Sequence, residues 1–150
     1  MQIKGQHVFN NDPTDLWRYL TDPKVLTRIT PGVESMEEDG PDRYRIHSRV
    51  IMGPVNGLFD GHISLKDTIP PKSFVLAMEQ KSKMGNVTAE ITIQLDQNGS
   101  TDTTIRYAGE ARLSGLLSRM GQRVLGGVLN SLTKQFFAAF KQYLESNNHH

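Results

Sequence analysis

Between Leu113 and Tyr143 the apolar residues Leu116, Leu117, Met120, Val124, Val128, Leu132, Phe136, Phe140 and Tyr143 return every three or four positions. That is the period of an α-helix with one face buried. Gly115, Gly121, Gly126 and Gly127 fall in its first half, where each glycine disfavours helix by roughly 1 kcal/mol relative to alanine. Phe136, Phe137, Phe140 and Tyr143 load the second half with bulk. The spacing predicts one long helix, thin at its start and thick at its end. Its glycines then mark where helix and neighbour separate around a ligand, or approach unusually closely.

Upstream the period changes. Residues 2–10 alternate, with Ile3, Gly5, His7 and Phe9 on one side, and read as a strand. Asp12-Pro13 and Asp22-Pro23 then each precede a short apolar repeat. An aspartate N-cap followed by a proline that has no N–H to satisfy predicts two short helices. From Val33 to Leu113 the period is two, interrupted at Gly40-Pro41-Asp42, Gly53-Pro54, Pro70-Pro71, Met84-Gly85 and Asn98-Gly99. Clean alternation with tight turns predicts antiparallel strands with one buried face and one wet face. The order is β-αα-β-β-β-β-β-β-α. A seven-stranded sheet with one apolar face must curl around something, and only the C-terminal helix is long enough. The expected fold is therefore α+β, a curved antiparallel sheet wrapped on a long terminal helix in the helix-grip manner.

Composition narrows the class further. A length of 150 residues suits one domain, here residues 1–146, with 147–150 as a polar tail. His149 and His150 read as the remnant of an affinity tag. A net charge of +1 argues against nucleic acid as a partner. No apolar run reaches the roughly 20 residues of a membrane span, and MQIKGQHVF has no signal-peptide apolar segment, so a cytoplasmic protein is expected. With no cysteine, disulfides, thiolate metal sites and a cysteine nucleophile are excluded.

Enzyme signatures are sparse, with no Gly-rich phosphate loop, no HExxH and no Gly-x-Ser-x-Gly. Strand parity places His47, His62, Asp60 and Glu79 on the polar face. The first two read as solvated histidines rather than metal ligands, and Glu79 as a surface ion-pair partner of Lys81 or Lys83. The inward parity set is apolar and contains no carboxylate. From it the candidate ligand-binding residues are Trp17, Tyr44, Phe59, Phe74, Met78, Ile91, Tyr107, Gly109, Met120, Gly121 and Val124. For any one of them the plainer reading is a packed core, because apolar strand faces usually are core. As a group they suggest a hollow, since Gly109, Ala111, Gly121 and Gly126 remove volume where strand and helix would interdigitate. Such a lining suits a lipid-like ligand, at roughly 0.8 kcal/mol per buried CH₂, with a tyrosine hydroxyl to orient one polar group. Arg119, Arg123, Lys134 and Lys141 hold polar positions of the helix, with no acid before Glu145. That face reads either as a solvated exterior or as a basic surface for an anionic membrane.

Trp17…Leu20-Thr-Asp22-Pro23, Ile29-Thr-Pro31-Gly32-Val-Glu, Gly57-Leu-Phe-Asp-Gly61 and Tyr107…Gly115-Leu-Leu-Ser-Arg-Met-Gly121-Gln-Arg together resemble the family of the carbon monoxide dehydrogenase G subunit. The resemblance spans nearly all of residues 1–145. It implies a START-like helix-grip fold and an accessory protein of molybdenum hydroxylases, recruiting the enzyme to the inner membrane and in some members binding a quinone. It transfers no catalytic residues and no cofactor. Some members carry a C-terminal membrane-associating extension, and this chain stops at about residue 146 without one, so direct anchoring is not expected. The function expected first is non-enzymatic binding of a hydrophobic small molecule, lipid or quinone, between sheet and helix. A ligand-free module that recruits a partner enzyme to the membrane is the second reading. A START-like cyclase or hydrolase is the third, and would need an inward base such as His7.

Overall fold

The computed structural model describes residues 1–99 and 101–147, so His149 and His150 lie outside the described residues. The strands are β1 (Gln2–Phe9), β2 (Val33–Glu38), β3 (Arg43–Met52), β4 (Val55–Ile69), β5 (Ser73–Ser82), β6 (Gly85–Asn98) and β7 (Asp102–Leu113). The helices are α1 (Pro13–Leu20), α2 (Pro23–Ile29), α3 (Gly115–Arg119) and α4 (Gln122–Asn147). α1 and α2 begin as their sequences dictate. The Asp12 carboxylate accepts from the Thr14 N–H at 2.8 Å, and that of Asp22 accepts from the Lys24 N–H at 2.9 Å. Each satisfies a backbone donor that the first helical turn leaves open.

One antiparallel sheet carries the seven strands in the order β1-β7-β6-β5-β4-β3-β2. Strands β2 to β7 form a meander, and β1 returns to the far edge against β7, placing Gly5 opposite Tyr107 and His7 opposite Ile105. The inner parity runs as expected. On β3 and β4, Tyr44, Ile46, Phe59, Ile63 and Leu65 are buried.

The terminal helix differs from its expectation. Strand β7 continues through Leu113, and the helical stretch after it is two helices rather than one. Gly121 separates them at φ +82°, a left-handed conformation that glycine adopts without strain. The short α3 and the first turns of α4 pack closely: Leu117, Leu125 and Val128 join Val55 and Phe59 in one apolar cluster. A second cluster gathers Phe9, Leu16, Leu20, Ile105, Phe140 and Leu144 at the far end of α4. A third, with Tyr44, Ile46 and Ile63, lies under β3 and β4. Final helix α4 extends to Asn147, one residue into the segment set apart as a tail.

Candidate functional site

The three clusters do not merge, and the space between them is a hollow of about 310 Å³. Its floor is the centre of the sheet, where Leu76, Met78, Ile91, Ile93 and Tyr107 all face it and are only half-buried. Its roof is the middle of α4, through Leu132, Thr133, Phe136 and Phe137. Leu26, Thr30, Pro31, Val33 and Met36, from α2, the turn after it and β2, close one side.

The position of the hollow corrects the volume argument. The helix glycines do not open onto it. Gly121 and Gly127 are exposed, and Gly109, far from leaving space, lies so close to strand β6 that a β-carbon would overlap the Glu90 carbonyl. The hollow lies instead beneath the aromatic half of α4. There Phe140 packs at 5.3 Å from Phe9, and Phe136 sets its edge on Phe137 at 5.1 Å and 85°. The bulk of that half is directed to the far cluster and to its own neighbours, and the middle of the sheet stays uncovered.

Four of the eleven candidate residues, Phe74, Met78, Ile91 and Tyr107, line the hollow. Trp17 stands behind it, edge-on to Phe74 at 5.3 Å. Tyr44 is buried in the β3–β4 cluster, where loss of solvent pushes its hydroxyl pKa up. Phe59 and Met120 pack in the cluster around α3. Gly109 and Gly121 hold backbone positions outside the lining, and Val124 is 43% exposed, so the inward placement read for it from helical spacing is overturned. The break at Gly121 resets the helix phase between Met120 and Val124. The residues missed were the α2–β2 segment and the pair Phe136–Phe137. One signal for the pair was present: two adjacent helical residues, about 100° apart around the axis, do not point into one core position.

The wall is chemically plain. It contains no carboxylate, and its side-chain polar groups are the hydroxyls of Thr30, Thr133 and Tyr107. Thr133 donates to the Leu129 carbonyl at 2.8 Å. Tyr107 is held from beneath: a β-carbon at Gly5 would overlap its hydroxyl, so the ring lies flat over the glycine. Burial pushes the Tyr107 pKa up. Next to it Phe137 joins a cluster of three near-parallel rings, 3.9 Å from His7 at 21° and 5.6 Å from Tyr107 at 19°, with His7 and Tyr107 6.3 Å apart.

His7 stands behind this stack, and burial lowers its pKa from 6.5. Below pH 6.5 the unfolded chain binds a proton there that the folded chain resists, so stability is full above that pH and declines as pH falls through it. Thermal unfolding between about pH 7.5 and 5 tests this. The wild type is expected to lose melting temperature more steeply than His7→Phe. Parallel profiles would rule the effect out.

The outer face of the sheet carries several ion pairs. Asp60 takes Arg45 at 3.1 Å and His47 at 3.0 Å, and the Arg45 hydrogen bond holds its carboxyl below the usual range. His62 meets Asp39 at 3.0 Å, and Glu79 pairs with Lys81 at 3.7 Å. Among the described residues no three His, Asp or Glu side chains converge as a metal site, and no helix is long and apolar enough to cross a membrane.

The family described as the G subunit of carbon monoxide dehydrogenase (CoxG) matches this chain over residues 5–145. A conserved protein from Geobacillus kaustophilus is 28% identical over 100% of this chain and 98% of its own, with a TM-score of 0.94. A START superfamily protein from Mycobacterium smegmatis shares the fold at a TM-score of 0.75 and 8% identity, covering 97% of both chains. Protein Ms6760 of the same species does so at 0.73 and 15%, covering 97% of this chain and 92% of its own. No match was found among curated proteins. Matched along nearly its whole length, and folded as a START-like helix-grip domain, the chain belongs to the CoxG family, that of the carbon monoxide dehydrogenase G subunit.

Proposed function

We propose that the protein binds a hydrophobic small molecule, a lipid or a quinone, in the hollow between sheet and α4. It serves as a non-catalytic accessory of a molybdenum hydroxylase or carbon monoxide dehydrogenase-like system, in the cytoplasm and peripheral to the inner membrane. The observation that carries the reading is the hollow itself: about 310 Å³ walled almost wholly by apolar side chains. That volume lies at the lower end of the range of about 300–1,000 Å³ for small-molecule sites. It suits a ring or a short run of chain. In this reading the Tyr107 hydroxyl orients one polar atom of such a ligand.

Catalysis finds less support in this geometry. The wall has no acid, and His7 stands outside the lining, stacked on Phe137. Family membership supports the accessory role and the redox partner.

Native mass spectrometry of the purified protein, followed by organic extraction, tests the reading. An apolar molecule is expected to co-purify, or an added quinone or fatty acid to bind one per chain. A protein that carries nothing and takes up neither would leave the recruiting module in its place.

A further inference from the structure

From Glu110 to Glu145 the chain has no acidic residue between its ends, yet it carries Arg112, Arg119, Arg123, Lys134 and Lys141. The rest of the molecule is correspondingly acidic, since only twelve of the 17 basic residues remain there against all 16 acidic ones. A near-neutral protein is thus strongly polarised.

The structure arranges this charge in space. Arg123, Lys134 and Lys141 are eleven and seven positions apart on α4, and so fall within about 20° of each other around its axis. All three are exposed, and the exposed residues among them, Gly127, Asn130 and Ala138, are uncharged, with Glu145 closing the row one turn after Lys141. A basic stripe free of acid up to Glu145 results on the side of α4 that faces away from the hollow. Where it begins, at the α3–α4 corner, Leu116 and Val124 stand 53% and 43% exposed. Ile51, 64% exposed, belongs to the same end, because the turn after β3 brings Gly53 against Val128. Two of these large apolar side chains thus frame the Gly121 break, and basic groups flank them. Nothing in the fold requires them to face water.

We infer that α3 and the outer stripe of α4 form a docking face for an anionic phospholipid bilayer, with Leu116 and Val124 entering the interface and Arg119, Arg123, Lys134 and Lys141 meeting the headgroups. Charge complementarity selects this occupant. Basic groups near an anionic surface attract it additively, and exposed aliphatic side chains among them gain by leaving water. The inference deepens the peripheral placement proposed above by assigning it to one face of the fold, and it leaves the hollow on the opposite side of α4.

Co-sedimentation of the full chain with vesicles of phosphatidylcholine, alone or mixed with phosphatidylglycerol, tests the assignment. Binding only to the anionic vesicles, reduced by salt, is expected. The triple variant Arg123→Gln/Lys134→Gln/Lys141→Gln should weaken it about a hundredfold, the order set by three basic residues at such a surface. Leu116→Ser should weaken it further, and Lys66→Gln/Lys81→Gln on the sheet's outer face should leave it unchanged. Uptake of a fluorescent apolar probe, read on the same samples, should be unaffected by the triple variant. Equal binding to phosphatidylcholine alone would overturn the proposal. So would equal loss in the sheet-face variant, or retention on duplex DNA with the same strength and salt dependence. Vesicle binding by a protein that takes up no probe would leave the docking face standing and remove the ligand reading.

Discussion

Phe140→Ala is expected to lower the stability of the protein by about 3–5 kcal/mol, the range for emptying a fully enclosed phenylalanine site. Phe140 has no exposed surface and packs with Phe9, Leu16 and Leu144. Thermal unfolding should show it as a fall of roughly 6–20 °C, at about 2–4 °C per kcal/mol for a domain of this length. The neighbouring Phe137→Ala should fall clearly less, because one flank of that ring already borders open space. The contrast is the informative part. Equal losses in the two variants would mean that this half of α4 is packed evenly, and the hollow beneath it would be in question.

Filling that space should separate binding from stability. Ile91 stands on β6 between Leu76 and Gly109, in the floor of the hollow. Enlarging a side chain in a packed interior usually destabilises by about 1–3 kcal/mol. Ile91→Phe should escape that penalty, since the ring has somewhere to go. It should also displace about one methylene equivalent of ligand, which at roughly 0.8 kcal/mol is about fourfold in affinity. Probe titration and thermal unfolding on one preparation read both quantities. A lowered melting temperature with undiminished probe binding would sink the assignment of Ile91 to the ligand site.

These two expectations also show how far a single sequence reaches. Asp12-Pro13, Asp22-Pro23 and the six alternating runs act through local physics, a cap or a pleat, and the helices and strands follow them closely. The pairing of β1 with β7 was not legible, because alternation in residues 2–10 predicts a strand but not which of the meander's two edges it joins. The hollow was legible in part. Its existence followed from apolar parity, but its place depends on which way α4 turns its aromatic rings, and that is settled by α1, α2 and β1 acting together. The glycines misled for a related reason. A missing side chain signals either empty space or a close neighbour, and Gly109 and Gly121 respectively serve a tight strand pair and a helix break. Val124 then followed the phase of an unbroken helix that does not exist.

The edge pairing of β1 bears on how the molecule is made. Gln2 and Phe9 find their partners at Glu110 and Thr103, about a hundred positions later, and contacts so distant in sequence form slowly because the intervening loop must close first. During synthesis the opening strand therefore waits, unpaired, until nearly the entire meander has emerged. Ile3, and the glycine seat on which Tyr107 rests, arrive with it. The hollow is thus among the last parts of the nascent protein to be completed, and a molecule that the proposed function places there would enter the finished chain rather than the nascent one.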